Sequence, residues 1–177
     1  MDDRELVDRV LRYDRAAAEA VVHEYAGLIY TIFSRESDDP DHVEQRFQDF
    51  FDLLAKNDYQ MLRMWNDKSA LRSYLAAVAL KMVLEARTRA DEEPDHGLTQ
   101  ELLEPLRESL HSALHTVSEQ DRRIIQLRRF DGLGFREIGM RLGMKPNAVG
   151  VILHRAEKRL RDQVSMVFPA LFRDFVQ

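Results

Sequence analysis

With 177 residues, 45% of them apolar, the chain has material for one substantial core or two small ones. It contains no cysteine, which excludes disulfide scaffolds, thiolate metal sites and cysteine nucleophiles and suits a reducing compartment, so a cytoplasmic location is expected. The net charge of −5 argues against a simple nucleic-acid coat, and no apolar run approaches the roughly 18 residues that span a bilayer.

The start, MDDRELVDRV, is charged from its second residue, so no export signal is expected. Apolar residues then recur every three or four positions: Leu6, Val10, Tyr13 and Ala17, followed by Val21, Tyr25, Leu28 and Ile32. This is the stripe of packed helices, and no alternating strand pattern interrupts it. The polar break SDDPD (Ser37 to Asp41) offers Asp39 or Asp41 as cap for a helix starting near His42. That helix runs through VEQRFQDFFDLLAK and is expected to stop at Asn57-Asp58, with Tyr59 to Lys68 as a short connection. Ser69 opens the next helix, ALRSYLAAVALKMVLEARTR, whose terminal Arg87 and Arg89 suit a helix C-terminus.

The acidic stretch ADEEPDHG has Pro94, Gly97 and nothing apolar beyond Ala90, so a flexible linker is expected over 90–100, dividing the chain into domains 1–89 and 101–177. Helical spacing resumes at Leu98 and continues through Leu102, Leu103, Leu106, Leu110, Leu114 and Val117. Ser118, with Asp121 three positions on, marks a further helix start. From Ser118 to Gln163 basic residues outnumber acidic ones by 11 to 6, a local excess that suits phosphate.

The run DGLGFREIGMRLGMKPNAVGVILHRAEKRL (Asp131 to Leu160) has helix-turn-helix spacing. Gly132 and Gly134 end the preceding helix, and Phe135, Ile138 and Leu142 share one face of a short helix. Gly143 supplies a left-handed turn. Asn147 is the expected cap of the second helix, which turns Val149, Ile152, Leu153, Ala156 and Leu160 inward. Lys145, His154, Arg155, Lys158 and Arg159 then face outward, where Arg and Lys meet guanine edges or phosphates.

LHTVSEQDRRIIQLRRFDGLGFREIGMRLGMKPNAVGVILHRAEKRL resembles region 4 of the extracytoplasmic-function (ECF) sigma factors of the sigma-70 family. The likeness rests on Arg123, Leu127, Glu137-Ile138-Gly139 and His154-Arg155-Ala156. VEQRFQDFF, with Gln48, Asp49 and Phe51, is similar to region 2.2, and LRSYLAAVALKMVLEARTR to regions 2.3 and 2.4. The resemblance implies an all-α protein of two small domains, which needs no catalytic residue and no cofactor. Its implied partners are core RNA polymerase, through the clamp helices of the largest subunit and the flap of the second, promoter DNA, and an anti-sigma protein.

On that resemblance Lys145, Asn147, His154, Arg155 and Lys158 are expected at the minus-35 element, with Arg122 and Arg136 on phosphates. Trp65, Asn66, Lys68, Ser69, Arg72 and Tyr74 border the loop expected to capture a flipped minus-10 base, where stacking and edge hydrogen bonds offset extrusion. Gln48, Asp49 and Phe51 are expected to dock on the polymerase. The chain departs from the family at Gly150 and Val151, where most members carry basic or polar base readers, and at Gln45, Lys81 and Glu85. The apolar tail VSMVFPALFRDFV is expected to fold back on the C-terminal domain or to meet a partner. His111 and His115 have the i, i+4 spacing of a metal pair but no third ligand nearby, so they read as helix surface. The competing reading is a helix-turn-helix regulator whose N-terminal helices dimerise or sense; a third is a scaffold that binds without opening DNA.

Overall fold

The computed structural model describes residues 2–89 and 106–172, which are helix and turn with no strand among them. The helices are α1 (Asp3–Val10), α2 (Arg15–Ser34), α3 (Pro40–Arg63), α4 (Leu71–Arg89), α5 (Arg107–His115), α6 (Glu119–Arg129), α7 (Phe135–Leu142) and α8 (Pro146–Val167), followed by a 3-10 turn, Pro169–Phe172. The expected linker, 90–100, lies outside the described residues, as do Leu98, Leu102 and Leu103. Leu110–Val167 forms one compact unit; the helices that precede it form the other, together with residues 168–172.

In the N-terminal unit the stripe that runs unbroken in sequence is cut between α1 and α2. Tyr13 takes a left-handed φ of 62° and is 70% exposed rather than on the inward face. Asp14 starts α2, its Oδ1 accepting from the Ala17 amide at 3.2 Å while Arg9 Nε donates to Oδ2 at 2.8 Å. Behind this cap α2 buries Val21, Tyr25, Ile29, Ile32 and Phe33. Asp39 caps α3, accepting from the Asp41 amide at 3.1 Å, and Pro40 takes the first turn, two residues earlier than the His42 start expected.

The expected break at Asn57-Asp58 is present, but helix resumes and reaches Arg63, so the connection is residues 64–70. Asn57, Asp58 and Tyr59 have φ of 52°, 58° and 55° in succession. Asn and Asp tolerate that region, whereas Tyr adopts it at a cost of about 1–2 kcal/mol. Asp58 holds the bend together, accepting from the Tyr13 hydroxyl and, at 2.7 Å, from Arg63.

At the centre of this unit lies α4, which begins at Leu71 rather than Ser69. All eight residues from Ser73 to Leu80 are buried, so cover is needed on every side of the helix. α2 packs along it, and Tyr74, fully buried, donates its hydroxyl to the Met61 carbonyl at 2.8 Å. Burial pushes the Tyr74 phenol well above its ordinary pKa, so it remains a donor. The first amide of α4, Leu71, is capped from another helix: Asp3 Oδ2 accepts it at 2.9 Å and Oδ1 accepts from Tyr25. More cover comes from the 3-10 turn, which packs on α4, with Lys81 Nζ donating to the Ala170 carbonyl at 3.2 Å. Phe168 and Ala170 are buried, and residues 168–172 group with the N-terminal unit; of the two expectations for this tail, folding back on the C-terminal domain is not what these residues do.

The C-terminal unit is built on Ile124, Leu127, Ile138, Val149, Leu153 and Ala156, with Leu142, Ile152 and Leu160 packed around them. Burying an Ile, Leu or Val side chain contributes about 1.5–3 kcal/mol, and the five of these six that are such residues suffice to fix the packing of α6, α7 and α8. Ser118 caps α6 as expected, accepting from the Asp121 amide at 3.1 Å.

Candidate nucleic-acid interface

α7 and α8 are joined by a three-residue turn, and two glycines make it. Gly143 ends α7 in the left-handed region (φ 66°, ψ 36°). Gly139 lets the returning chain close in: a Cβ there would stand 2.5 Å from the Met144 carbonyl oxygen, while the Met144 amide donates to the Gly139 carbonyl at 2.8 Å. At the other end of α7 the Glu137 carboxylate accepts from the Gly134 amide at 2.7 Å. Pro146 opens α8, with the Lys145 carbonyl accepting from the Val149 amide at 3.1 Å. Asn147 is therefore inside the first turn rather than the cap, and its exposed side chain is free of that duty.

Val149, Leu153 and Ala156 carry one face of α8 into the core. The opposite face presents Asn147, Val151, His154 and Lys158, spaced 4, 3 and 4 residues apart, with Arg155 beside them, all exposed. Lys145 and Arg136 are exposed as well, and Arg122 is half-buried with its guanidinium 3.4 Å from His115 Nδ1. None of Lys145, Arg136, Arg155 or Lys158 makes an ion pair among the described residues. Arg159, expected to face DNA, instead donates to the buried Asp121 carboxylate at 2.6 Å, and Arg129 pairs with Glu157 at 2.7 Å. The basic excess thus divides into cations used inside the unit and cations left along one edge of α8.

Phe135 differs from expectation too. It is 43% exposed, not turned inward, and lies beside α8 with the Arg128 guanidinium 5.2 Å from its ring centre. Together with Pro146, Gly150 and Val151 it lines a shallow concavity whose rim is formed by Asn147, His154 and Arg155. Sequence reasoning missed this concavity because Phe135 has the spacing of a core residue; the available signal was the glycine at position 150, which leaves the ring uncovered.

An eight-residue helix, a glycine turn and a longer helix with an exposed cationic face make a helix-turn-helix. The family model described as sigma-70, region 4 matches residues 107–160, the stretch that holds this motif. That stretch is thus similar to sigma-70 region 4. No curated protein matches the chain. A solved structure of CnrH in complex with the cytosolic domain of CnrY aligns with it at 18% identity over 92% of this chain and 97% of that one, with a TM-score of 0.40.

In the N-terminal unit the residues expected at a melted strand fall into two groups. Asn66, Lys68 and Arg72 are exposed, and the Asn66 side chain accepts from the Lys68 amide at 3.3 Å. Trp65 is half-buried and donates its indole N–H to the Ser69 carbonyl at 2.9 Å, which shapes the loop. Ser69 and Tyr74 are buried. On α3, Gln48 is exposed and bonds to Glu44 at 3.0 Å, while half-buried Asp49 accepts from Gln45 at 2.9 Å. Phe51 packs edge-on against Phe47 and Phe50, with ring centres 5.0 and 5.2 Å away. His111 and His115 are exposed with their Nε2 atoms 3.2 Å apart, and no group of three metal-binding side chains occurs among the described residues.

Proposed function

We propose that this protein is a sigma factor of the ECF type that binds core RNA polymerase and directs promoter recognition. The observation that carries the reading is the region 4 helix-turn-helix with a row of exposed polar and cationic side chains along its second helix. Lys145, Asn147, His154, Arg155 and Lys158 meet the minus-35 element in the major groove, and Arg122 and Arg136 meet phosphates. The N-terminal helices, 1–89, form the region 2 module, on which the turn after α8 packs, and 90–100 link it to the region 4 module, which ends with α8.

In region 2, Trp65, Asn66, Lys68 and Arg72 receive an extruded minus-10 base. Ser69 and Tyr74 act behind that surface, one fixing the loop through Trp65 and the other anchoring α4 to α3. Gln48, Asp49 and Phe51 dock on the clamp helices of the polymerase, whose flap takes region 4. Work of this kind is binding alone, so the chain is not an enzyme and needs no cofactor. It acts in the cytoplasm, and no helix among the described residues is long and apolar enough to cross a membrane. An anti-sigma protein restrains it, as the resemblance to ECF sigma factors implies.

Run-off transcription with core polymerase on a genomic promoter library, read together with permanganate reactivity of thymines near minus-10, tests the proposal. Promoter-specific transcripts with reactive thymines are the expected result. Duplex binding without polymerase association would instead favour the self-contained helix-turn-helix regulator, and polymerase binding without reactive thymines would favour the scaffold.

A further inference from the structure

The shallow concavity at the second turn of α8 lies where a recognition helix meets base edges. Its floor is apolar: the Phe135 ring, Val151, which is 52% exposed, and the bare backbone of Gly150. A Cβ built on Gly150 would lie 3.5 Å from the Phe135 ring, in ordinary contact, so the glycine leaves about one methyl's worth of room above that ring. Around the rim stand polar and cationic groups, Asn147, His154 and Arg155, with Lys158 one turn further on. An apolar dent inside a cationic rim, at base-reading positions of a major-groove helix, fits one feature of DNA: the C5-methyl group of thymine, the one apolar group a base pair presents in that groove.

We infer that Gly150, Val151 and Phe135 read a thymine by its methyl group, so that the minus-35 contact of this chain is partly apolar at positions where a hydrogen-bonding pair is absent. Asn147 and Arg155 flank the dent and supply edge or phosphate contacts on either side, which fixes the base over it. This rests on the sigma-factor reading, and specifically on α8 entering the major groove.

The test uses the full chain with core polymerase. Its preferred duplex is selected from a randomised double-stranded library, and each thymine of that duplex is then replaced singly by deoxyuridine, which removes the methyl and nothing else. At one minus-35 position the replacement is expected to weaken binding about fourfold, the worth of one buried methyl. Restoring a methyl there as 5-methyldeoxycytidine in a cytosine-substituted duplex is expected to recover part of the loss. Gly150→Ala fills the dent without crowding Phe135, and Val151→Ala removes its wall; either is expected to abolish the thymine–uracil difference. Lys158→Ala, by contrast, should weaken both duplexes equally. A selected site at which no thymine-to-uracil change matters overturns the inference while leaving the sigma reading standing. Failure to select any duplex overturns that reading and this inference with it.

Discussion

Gly139 and Gly143 sit four residues apart and are needed for different reasons. At Gly143 the obstacle to a side chain is conformational, since φ is 66° and no atom lies within 4 Å of the place a Cβ would take. At Gly139 it is steric, with a backbone oxygen 2.5 Å away that cannot rotate aside. Gly143→Ala is therefore expected to cost about 1 kcal/mol, and Gly139→Ala up to about 3 kcal/mol because the turn itself must open. Urea unfolding of the full chain followed by circular dichroism compares them; equal costs would contradict the steric role of Gly139.

Asp14 belongs to the same scale. Hydrogen bonds from Arg9 and from the Ala17 amide hold its carboxyl below the ordinary aspartate value. A depressed folded-state pKa means the stabilisation is present above the ordinary value of about 4 and is lost as pH falls through the folded one. Asp14→Asn keeps a cap acceptor but cannot titrate. The melting difference between the wild-type chain and this variant is accordingly expected to shrink as pH drops below about 4, and a constant difference would remove Asp14 from the acid response.

Among elements, α4 owes its start to α1. Asp3→Ala leaves the Leu71 amide and the Tyr25 hydroxyl without their acceptor and is expected to cost about 1 kcal/mol, whereas Asp2→Ala, at an exposed residue that makes no side-chain cap, is expected to be neutral. Thermal unfolding of the two variants decides this. Along α8 the cations divide by role. Arg155→Ala is expected to lower the slope of log affinity against log salt by about 1, with folding unchanged. Arg159→Ala strands the buried Asp121 carboxylate and is expected to cost about 1–3 kcal/mol of stability instead. Salt titrations of duplex binding beside melting curves separate the two, and a salt slope untouched by Arg155→Ala would take that residue off the DNA face.

For the whole molecule, the last described residues complete a core far from them in sequence. Phe168 is fully buried and the turn after it covers α4, where Lys81 reaches the Ala170 carbonyl. The lysine that departs from the family pattern therefore has a local task. Phe168→Ala is expected to destabilise by about 3–5 kcal/mol and to speed amide exchange in α4; unchanged exchange in α4 would refute the assignment of this segment to the N-terminal unit. Much of the rest was legible in advance: the helical class, the Ser118 and Asp39 caps, the glycine turn and the inward face of α8 all depend on residues within a few positions of one another, so periodicity and capping chemistry reveal them. The break at Tyr13 was missed because its spacing matches the stripe, and the caps and covers of α4 were missed because their partners are remote. Sequence by itself determined the helical class, most of the helical segments and which face of α8 is cationic. Only the tertiary structure decided that Asp3 starts α4 across 68 positions, that Arg159 pairs with the buried Asp121, and that Phe135 stays exposed beside Gly150. Each of these depends on which helices pack together, and neither helical periodicity nor residue type encodes that pairing.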